Sequence, residues 1–326
     1  MIDEILIKRR KEILDSLGGI TEPKVTNKEW LYLLSEETRN SIMVEGYFIS
    51  EDEFEKILSK NFAVTRTQEE ALNYFRTANF IYSLAYENYK QKEFLFGTPL
   101  IRQINKGIGN KGEFRQTEIK ISGAKFNPPV AYIEEWIDIF VEFVKLLWKD
   151  FDFNYLSVSH CFFEEIHPFV DGNGRTGRIL LNYILISNGY PPVIIKGDEK
   201  NKNLYYKGLE EVDIQLAPLF DKYEKVLPDL KDIINHLKSA KSLSLRDIIL
   251  NSLRQSLDEL IISRYEGRGF SFEPVEEILA DIGYSPSSSR QLIKRGKVIA
   301  IKRKNRWLSV RDILVKFLKS NHNKDG

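Results

Sequence analysis

The sequence predicts a mainly α-helical protein with one small β-hairpin in its middle and a C-terminal domain of helices and short strands. Three observations indicate this class. Apolar residues recur at helical spacing through long stretches such as residues 65–96. Residues 117–121 alternate and are rich in β-forming residues, which is typical of a strand. Residues 275–318 give the order helix, turn, helix, two short β-like pieces and a last helix.

Composition and charge describe an ordinary globular chain. Of 326 residues, 42% are hydrophobic and 29% are charged, so the chain is long enough for two or three domains with their own cores. The net charge of +1 indicates no partner by itself. The single Cys161 excludes an intramolecular disulfide, the N-terminus lacks a signal-peptide pattern, and no apolar run approaches roughly twenty residues. We therefore expect a cytoplasmic protein without membrane contact.

The N-terminal region, residues 1–60, has helical spacing and contains the string NSIMVEG at positions 40–46. Ser41 and Glu45 lie four apart and share one helix face, and Gly46 suits the position after the helix end. Taken alone, this string is typical of an amphipathic helix end with a solvated glutamate.

The region after it contains a glycine pattern and a strand pattern. Residues 107–112, GIGNKG, match GxGxxG formally, but they neither follow a strand nor open a helix, so a dinucleotide site is not indicated. The strand pattern of residues 113–121 ends at Gly123 and Asn127, before a helix predicted over 131–148.

The segment from His167 to Arg178, HPFVDGNGRTGR, concentrates the residues of a polyphosphate site. The helix predicted over 157–166 cannot continue through Pro168, so His167 lies where a helix changes into a loop. Gly172 and Gly174 let backbone N–H groups converge on an anion at the N-terminus of the next helix.

The charged side chains of this segment complete such a site. Arg175 and Arg178 lie three apart on one helix face and can hold phosphate oxygens. Asp171 beside a phosphate indicates a cation between them, and Mg²⁺ prefers a carboxylate with phosphate oxygens. His167 can accept a proton near neutral pH. Each piece alone is more often structural, but the joint arrangement favours function.

The segment resembles the signature of the Fic family, HPFx[D/E]GNGRxxR, at every fixed position. The resemblance implies a helical Fic core and an enzyme that transfers AMP from ATP to a Ser, Thr or Tyr hydroxyl of a protein. It makes His167 the general base and Asp171 the Mg²⁺ ligand. The residues that it assigns to nucleotide phosphates are Gly172, Asn173, Gly174, Arg175 and Arg178.

The N-terminal string is similar to the inhibitory motif of this family, [S/T]xxxE[G/N], through Ser41, Glu45 and Gly46. The resemblance implies that Glu45 pairs with Arg178 in the place of the γ-phosphate, so that the isolated enzyme is autoinhibited.

Residues 112–123 are similar to the family's β-hairpin flap, which adds a stretch of the target's backbone as an extra strand. Thr117 in the flap is a candidate nucleotide contact. Tyr205 and Tyr206 match a tyrosine pair that borders adenine in relatives, although such a pair is also ordinary in a helix. Asp213 lies where relatives often have asparagine, which leaves a donor other than ATP open.

The C-terminal region begins with the polar residues 231–247, which are expected to connect domains. The following pattern resembles a winged helix-turn-helix of the excisionase type. Residues 290–319 carry eleven Lys and Arg residues against Asp312 alone, which favours DNA binding through residues 287–320. A small protein-docking domain is the alternative.

The sequence thus predicts N-terminal inhibitory helices over residues 1–60, a Fic catalytic core over 61–230, and a linker with a winged-helix domain over 231–326. The predicted activity is autoinhibited, Mg²⁺-dependent AMP transfer to a target protein or to the protein itself. The alternatives are a different nucleotide donor and a DNA-binding regulator whose Fic portion senses nucleotide. The target, the signal that relieves inhibition and the oligomeric state stay open.

Overall fold

A computed structural model describes residues 3–121 and 127–322 of the chain. These residues form helices joined by short loops, with one small antiparallel sheet. They divide into two compact units, one formed by residues 21–249 and the other by residues 1–20 together with 250–326. The prediction of a mainly helical protein is confirmed. No described helix combines the length and apolar character needed to cross a membrane.

The larger unit is helical. Its helices are α2 (Lys28–Val44), α3 (Glu51–Lys60), α4 (Arg66–Gln91), α5 (Thr98–Gly107), α6 (Ile133–Lys149), α7 (Phe153–Ile166), α8 (Asn173–Ser187), α9 (Glu199–Lys222), α10 (Leu230–Ser239) and the beginning of α11 (Leu243–Glu266). Their first turns are set by local sequence. Thr65 and Gln68, for example, form a capping box at the start of α4, in which each side chain binds the backbone of the other residue.

Helix α8 lies at the centre of this unit and contacts α2, α4, α5 and α7. Its residues 179–186 are all buried, as expected of a helix that is apolar on every side. The polar exception, Asn182, is satisfied because its amide exchanges hydrogen bonds with the backbone N–H and C=O of Val193, at 2.8 and 3.1 Å. This central helix carries the second half of the 167–178 segment at its N-terminus.

The smaller unit contains α1 (Glu4–Ser16), the rest of α11, α12 (Val275–Asp281), α13 (Pro286–Lys294) and α14 (Arg311–His322). Its sheet consists of β1 (Glu273–Pro274), β2 (Ile301–Arg303) and β3 (Arg306–Ser309) in the order β1-β3-β2. Lys304 and Asn305 connect β2 to β3 with φ angles of 45° and 64°, the left-handed pair that tight hairpins require. Val275, Ile278, Leu279 and Leu314 form the core of this unit.

A buried arginine joins the first helix to the C-terminal elements of the smaller unit. Arg10 is fully buried and donates to Asp258 Oδ1 at 2.7 Å and to the carbonyls of Gly296 and Val298 at 2.9 and 2.7 Å. Its guanidinium also lies 4.6 Å from the centre of the Phe317 ring. A guanidinium tolerates burial when a carboxylate and carbonyls satisfy its donors.

Two segments differ from their sequence predictions or extend beyond the described residues. The polar stretch 231–247, expected to connect domains, is mostly helical, because α10 buries Ile233, Ile234 and Leu237 on one face. The predicted hairpin of residues 112–123 extends beyond the described residues, which stop at 121. Residues 112–121 themselves have no regular secondary structure. The predicted domain boundaries at 60 and 230 stay predictions.

Candidate active site

A pocket of 460 Å³ opens beside the junction of α7 and α8. Seven residues that the sequence analysis singled out line it: Glu45, His167, Gly174, Arg178, Tyr205, Tyr206 and Asp213. The pocket therefore brings together parts of α2, the α7–α8 junction and α9, which are far apart in the sequence.

The backbone of His167 ends α7 in a left-handed conformation, with φ 47° and ψ 59°. This conformation is unfavourable for a non-glycine residue, so other contacts must hold it. Arg115, which is buried, supplies them. Its Nε donates to the His167 carbonyl at 2.8 Å, and its Nη2 donates to the carbonyls of Pro129 and Ile166 at 2.6 and 3.2 Å. Arg115 thus fixes the turn that presents the histidine.

The imidazole of His167 has a defined tautomer. Its Nδ1 lies 3.0 Å from the carbonyl oxygen of Glu164. Because a carbonyl only accepts, Nδ1 carries the proton and Nε2 keeps its lone pair. Burial lowers the pKa of His167 below its ordinary value. Burial thus favours the neutral imidazole, although the hydrogen bond to Glu164 opposes it in part, and that same bond leaves Nε2 as the atom that can accept a proton.

The loop between α7 and α8 is held by polar contacts with its own backbone. The side chain of Asn173 accepts from Phe169 N at 2.9 Å and donates to Phe169 O at 2.8 Å. Gly172 has a φ of 80°, and a Cβ there would lie 2.3 Å from Asn110 Nδ2. The amide of Asn173 is thus used to shape the loop, and glycine at 172 is required by both conformation and space.

Asp171 and Arg175 lie at the outer edge of the loop. Asp171 is exposed over 62% of its side chain, and its Oδ1 accepts from Gly172 N at 2.6 Å and from Arg175 Nη2 at 3.3 Å. Arg175 Nη1 donates to Glu70 on α4. Both hydrogen bonds of Asp171 are to Oδ1, so Oδ2 can serve as an oxygen ligand for Mg²⁺.

Arg178 is bound by two residues of the N-terminal string that resembles an inhibitory motif, Ser41 and Glu45. Its Nη2 donates to Glu45 Oε1 at 2.6 Å, and its Nε donates to Ser41 Oγ at 2.6 Å. Burial alone would raise the pKa of Glu45, but the guanidinium groups of Arg178 and Arg175 lower it below its ordinary value. Gly46 follows the helix end with a φ of 90°, as its predicted position requires.

Two glutamates, Glu164 and Glu165, also line the pocket, and the sequence analysis did not single them out. Burial raises the pKa of Glu164 to about 8. Burial also raises the pKa of Glu165 well above its ordinary value, and the neighbouring Asp213 adds to this effect. Both glutamates directly precede the 167–178 segment on α7, and their position was the signal available in the sequence. Near neutral pH the Glu164 carboxyl group is mostly protonated, and burial disfavours the charged form of Glu165, so the pocket is less acidic than its composition indicates.

The remaining predicted residues divide into two groups. Tyr205 is buried, and its hydroxyl lies 2.8 Å from His160 Nε2, whereas Tyr206 is 43% exposed; both line the pocket together with Asp213. Thr117 is exposed and is not among the described residues that line the pocket. Among the described residues of the predicted flap, Ile121 lines the pocket.

Comparison with known families and sequences gives a consistent result. Residues 98–185 match the model of the Fic/DOC family. A probable protein adenylyltransferase of Aquifex aeolicus is 31% identical over 285 residues, which cover 85% of this chain and 84% of that protein. The protein adenylyltransferase Fic of Drosophila erecta is 35% identical over 113 residues, which cover 32% of this chain and 21% of that protein.

Solved structures share the fold. A Fic domain containing signaling protein from Bacteroides thetaiotaomicron superimposes with a TM-score of 0.58 at 20% identity, over 78% of this chain and 96% of that chain. Fic-1 from C. elegans superimposes with a TM-score of 0.55 at 19% identity, over 78% of this chain and 72% of that chain.

Proposed function

The chain belongs to the Fic/DOC family and is a protein adenylyltransferase, and we propose that it transfers AMP from ATP to a Ser, Thr or Tyr hydroxyl under autoinhibition by Glu45. The acceptor belongs to a target protein or to the protein itself. The observation that carries the proposal is that His167, Gly174 and Arg178 line one pocket, so a proton acceptor and the donors for phosphate oxygens lie together.

The geometry of His167 supports its role as general base. Nε2 accepts the proton of the acceptor hydroxyl, the hydroxyl oxygen forms a bond to the α-phosphorus, and the bond to the pyrophosphate oxygen breaks. Phosphoryl-type transfer depends mainly on positioning and charge stabilisation. The backbone at Gly174 and the Arg178 side chain would hold the departing pyrophosphate at the N-terminus of α8.

Asp171 would hold Mg²⁺ together with phosphate oxygens of the nucleotide. The ion, when bound, neutralises charge on the pyrophosphate. Within residues 3–121 and 127–322, no group of three His, Cys, Asp or Glu side chains is arranged to hold a metal. A single exposed carboxylate suits Mg²⁺, which keeps several waters and phosphate ligands rather than a complete protein cage.

The ion pair of Glu45 with Arg178 supports autoinhibition. Glu45 uses a guanidinium N–H that a γ-phosphate would need, and its carboxylate lies against Gly174. A charge-assisted bond of this type contributes about 1.5–3 kcal/mol, which is enough to divert ATP from the productive position but remains reversible.

The flap would present its backbone edge to the target, which accounts for recognition of main chain rather than of one sequence.

The proposal is tested by incubating the Glu45→Gly protein with each of the four NTPs labelled in the α-phosphate, followed by mass spectrometry. We expect an AMP adduct on a hydroxyl residue with ATP and little with wild type. Addition of the His167→Ala change is expected to abolish it. Transfer from GTP, CTP or UTP in place of ATP would refute ATP as the donor. It would support the alternative that a chain with Asp213 at this position prefers another base. Equal labelling by wild type and Glu45→Gly would refute autoinhibition.

A second candidate function, DNA binding by the C-terminal unit, is favoured by its exposed basic surface. Helix α13 follows α12 after a turn, and the β2–β3 hairpin follows α13, which supports a winged helix-turn-helix. The exposed cations on these elements are Arg290, Lys294, Lys302, Arg303, Lys304 and Arg306. A mobility assay across salt concentrations checks this proposal. DNA affinity that falls steeply with salt would support a regulator, and no affinity at low salt would exclude it.

A further inference from the structure

Arg175 has two carboxylate neighbours that differ in their surroundings. Its side chain is 5% exposed; Nη1 donates to Glu70 and Nη2 to Asp171 Oδ1 at 3.3 Å. The Glu70 side chain is 14% exposed and belongs to the regular part of α4, whereas Asp171 is 62% exposed and belongs to the loop. Glu70 is therefore the stronger partner of this buried guanidinium.

A buried guanidinium must be balanced by a negative charge, because an unpaired one is costly in a poorly solvated place. With Glu70 present, that charge comes from α4. Without it, Asp171 would be the remaining acid in hydrogen-bond contact with Arg175, and the two would form a closer pair. The ion pair with Arg175 would then neutralise the charge of Asp171 and compete with its binding to Mg²⁺.

We propose that Glu70 is a positioning residue that balances Arg175 and thereby leaves Asp171 available to Mg²⁺. The inference rests on the proposed function, since it takes Asp171 as the magnesium ligand. Glu70 would not touch the nucleotide or the metal. It would act through Arg175 as an outer partner of the metal site, and residues of this kind influence metal affinity strongly.

The surroundings of Glu70 support this assignment and provide a control. Glu70 and Glu69 both line a separate cavity of 610 Å³. The other cation near Glu70 is Arg66, whose Nε is 3.9 Å away and whose side chain is 74% exposed, so that pair is weak. Glu69 is exposed, so removing its charge changes the same cavity without changing the balance of Arg175.

The test measures binding rather than turnover. The affinity of a non-hydrolysable ATP analogue is determined by calorimetry with and without Mg²⁺, and the ratio of the two affinities reports the metal's contribution. All proteins carry Glu45→Gly so that the phosphate site is open. Glu70→Gln retains an oxygen that can accept from Arg175 but removes the charge. We expect it to reduce the ratio about tenfold, while Glu69→Gln leaves the ratio unchanged.

Glu70→Asp keeps the charge and is expected to retain most of the ratio. This variant also controls for a fold defect in Glu70→Gln. If Glu70→Asp lost as much of the ratio as Glu70→Gln, the shape of the side chain rather than its charge would matter, and the inference would be overturned. An unchanged ratio in Glu70→Gln, or an equal loss in Glu69→Gln, would overturn it as well. Failure of the Glu45→Gly parent to bind the analogue would instead refute the proposed function.

Discussion

Glu45 Oε1 lies 2.6 Å from Arg178 Nη2 and 2.5 Å from the point where a Cβ on Gly174 would stand. One carboxylate oxygen therefore occupies both the fork of the arginine and the space above the first turn of α8. A phosphate oxygen would use the same guanidinium and the same helix N-terminus. Under the proposed autoinhibition, Glu45 and the outer phosphate of a nucleotide would therefore compete for one place.

Loss of the Ser41 hydroxyl should weaken the hold of Glu45 on Arg178. Its Oγ accepts from Arg178 Nε at 2.6 Å, and its carbonyl accepts from Nη2 at 3.0 Å. Ser41→Ala leaves a buried N–H unpaired at a cost of roughly 1–2 kcal/mol, which loosens the arginine. We expect basal AMP transfer to rise by less than in Glu45→Gly. In the Glu45→Gly background Ser41→Ala should give no further rise, and an additive increase there would contradict this explanation.

The pH dependence of AMP transfer should report the buried His167. Burial lowers the pKa of His167, so its neutral form persists to a lower pH than for a histidine in water, whose pKa is about 6.5. The proposed general base accepts a proton only in this neutral form. In the Glu45→Gly protein, we therefore expect the acid limb of kcat/KM to have its midpoint below about 6.5. A midpoint above that value would mean that another group controls the limb.

Gly172 should tolerate no side chain. Alanine would combine the strain of a φ of 80° with a Cβ placed 2.3 Å from Asn110 Nδ2. We expect Gly172→Ala to lose about 1–3 kcal/mol of stability in a denaturant titration and most of the AMP transfer. Gly283 has a φ of 90° with nothing within 4 Å of its added Cβ. Gly283→Ala therefore measures the conformational strain alone, and a loss as large as that at Gly172 would show that the close contact is unimportant.

Local sequence predicted the central features of this molecule. The run of apolar residues after Arg178 is enough to predict a buried helix, and Pro168 is enough to end the helix before it. The pairing of Glu45 with Arg178 was expected from the family resemblance, although 133 residues separate the two.

What could not be predicted depends on contacts between distant segments. Arg115 supports His167 from 52 residues away, and Glu70 reaches Arg175 from a helix whose sequence shows only ordinary amphipathic spacing. Arg10 meets Asp258 across 248 residues, so nothing local indicates that the first helix packs with the C-terminal unit. A charged residue at a helical position looks the same in the sequence whether it is solvated or buried against a partner.

The Arg10 and Asp258 pair should dominate the stability of the smaller unit. Both side chains are almost completely buried, with Nε to Oδ1 at 2.7 Å. Asp258→Asn leaves the guanidinium without its charge partner, and we expect a loss of about 3–5 kcal/mol in chemical denaturation. The control is Asp15→Asn, which removes the exposed pair of Asp15 with Lys11 on the same helix and should cost less than about 1 kcal/mol. Equal effects of the two changes would show that burial of the pair is unimportant.

Glu164 should make nucleotide binding sensitive to alkaline pH. Burial, with a smaller contribution from the Glu45 charge, raises its pKa to about 8 in the wild-type protein, so the carboxyl group is mostly neutral at pH 7 and ionises as the pH rises; loss of the Glu45 charge lowers this pKa in part. Because Glu164 lines the pocket with Arg178, its ionisation places a negative charge beside the nucleotide phosphates. In the Glu45→Gly background, we expect the affinity for an ATP analogue with Mg²⁺ to fall about fivefold between pH 7 and pH 9, equivalent to roughly 1 kcal/mol of repulsion across a partly screened pocket. Glu164→Gln cannot ionise and should bind with the same affinity at both pH values, so a fall that persists in this variant would assign the effect to another group.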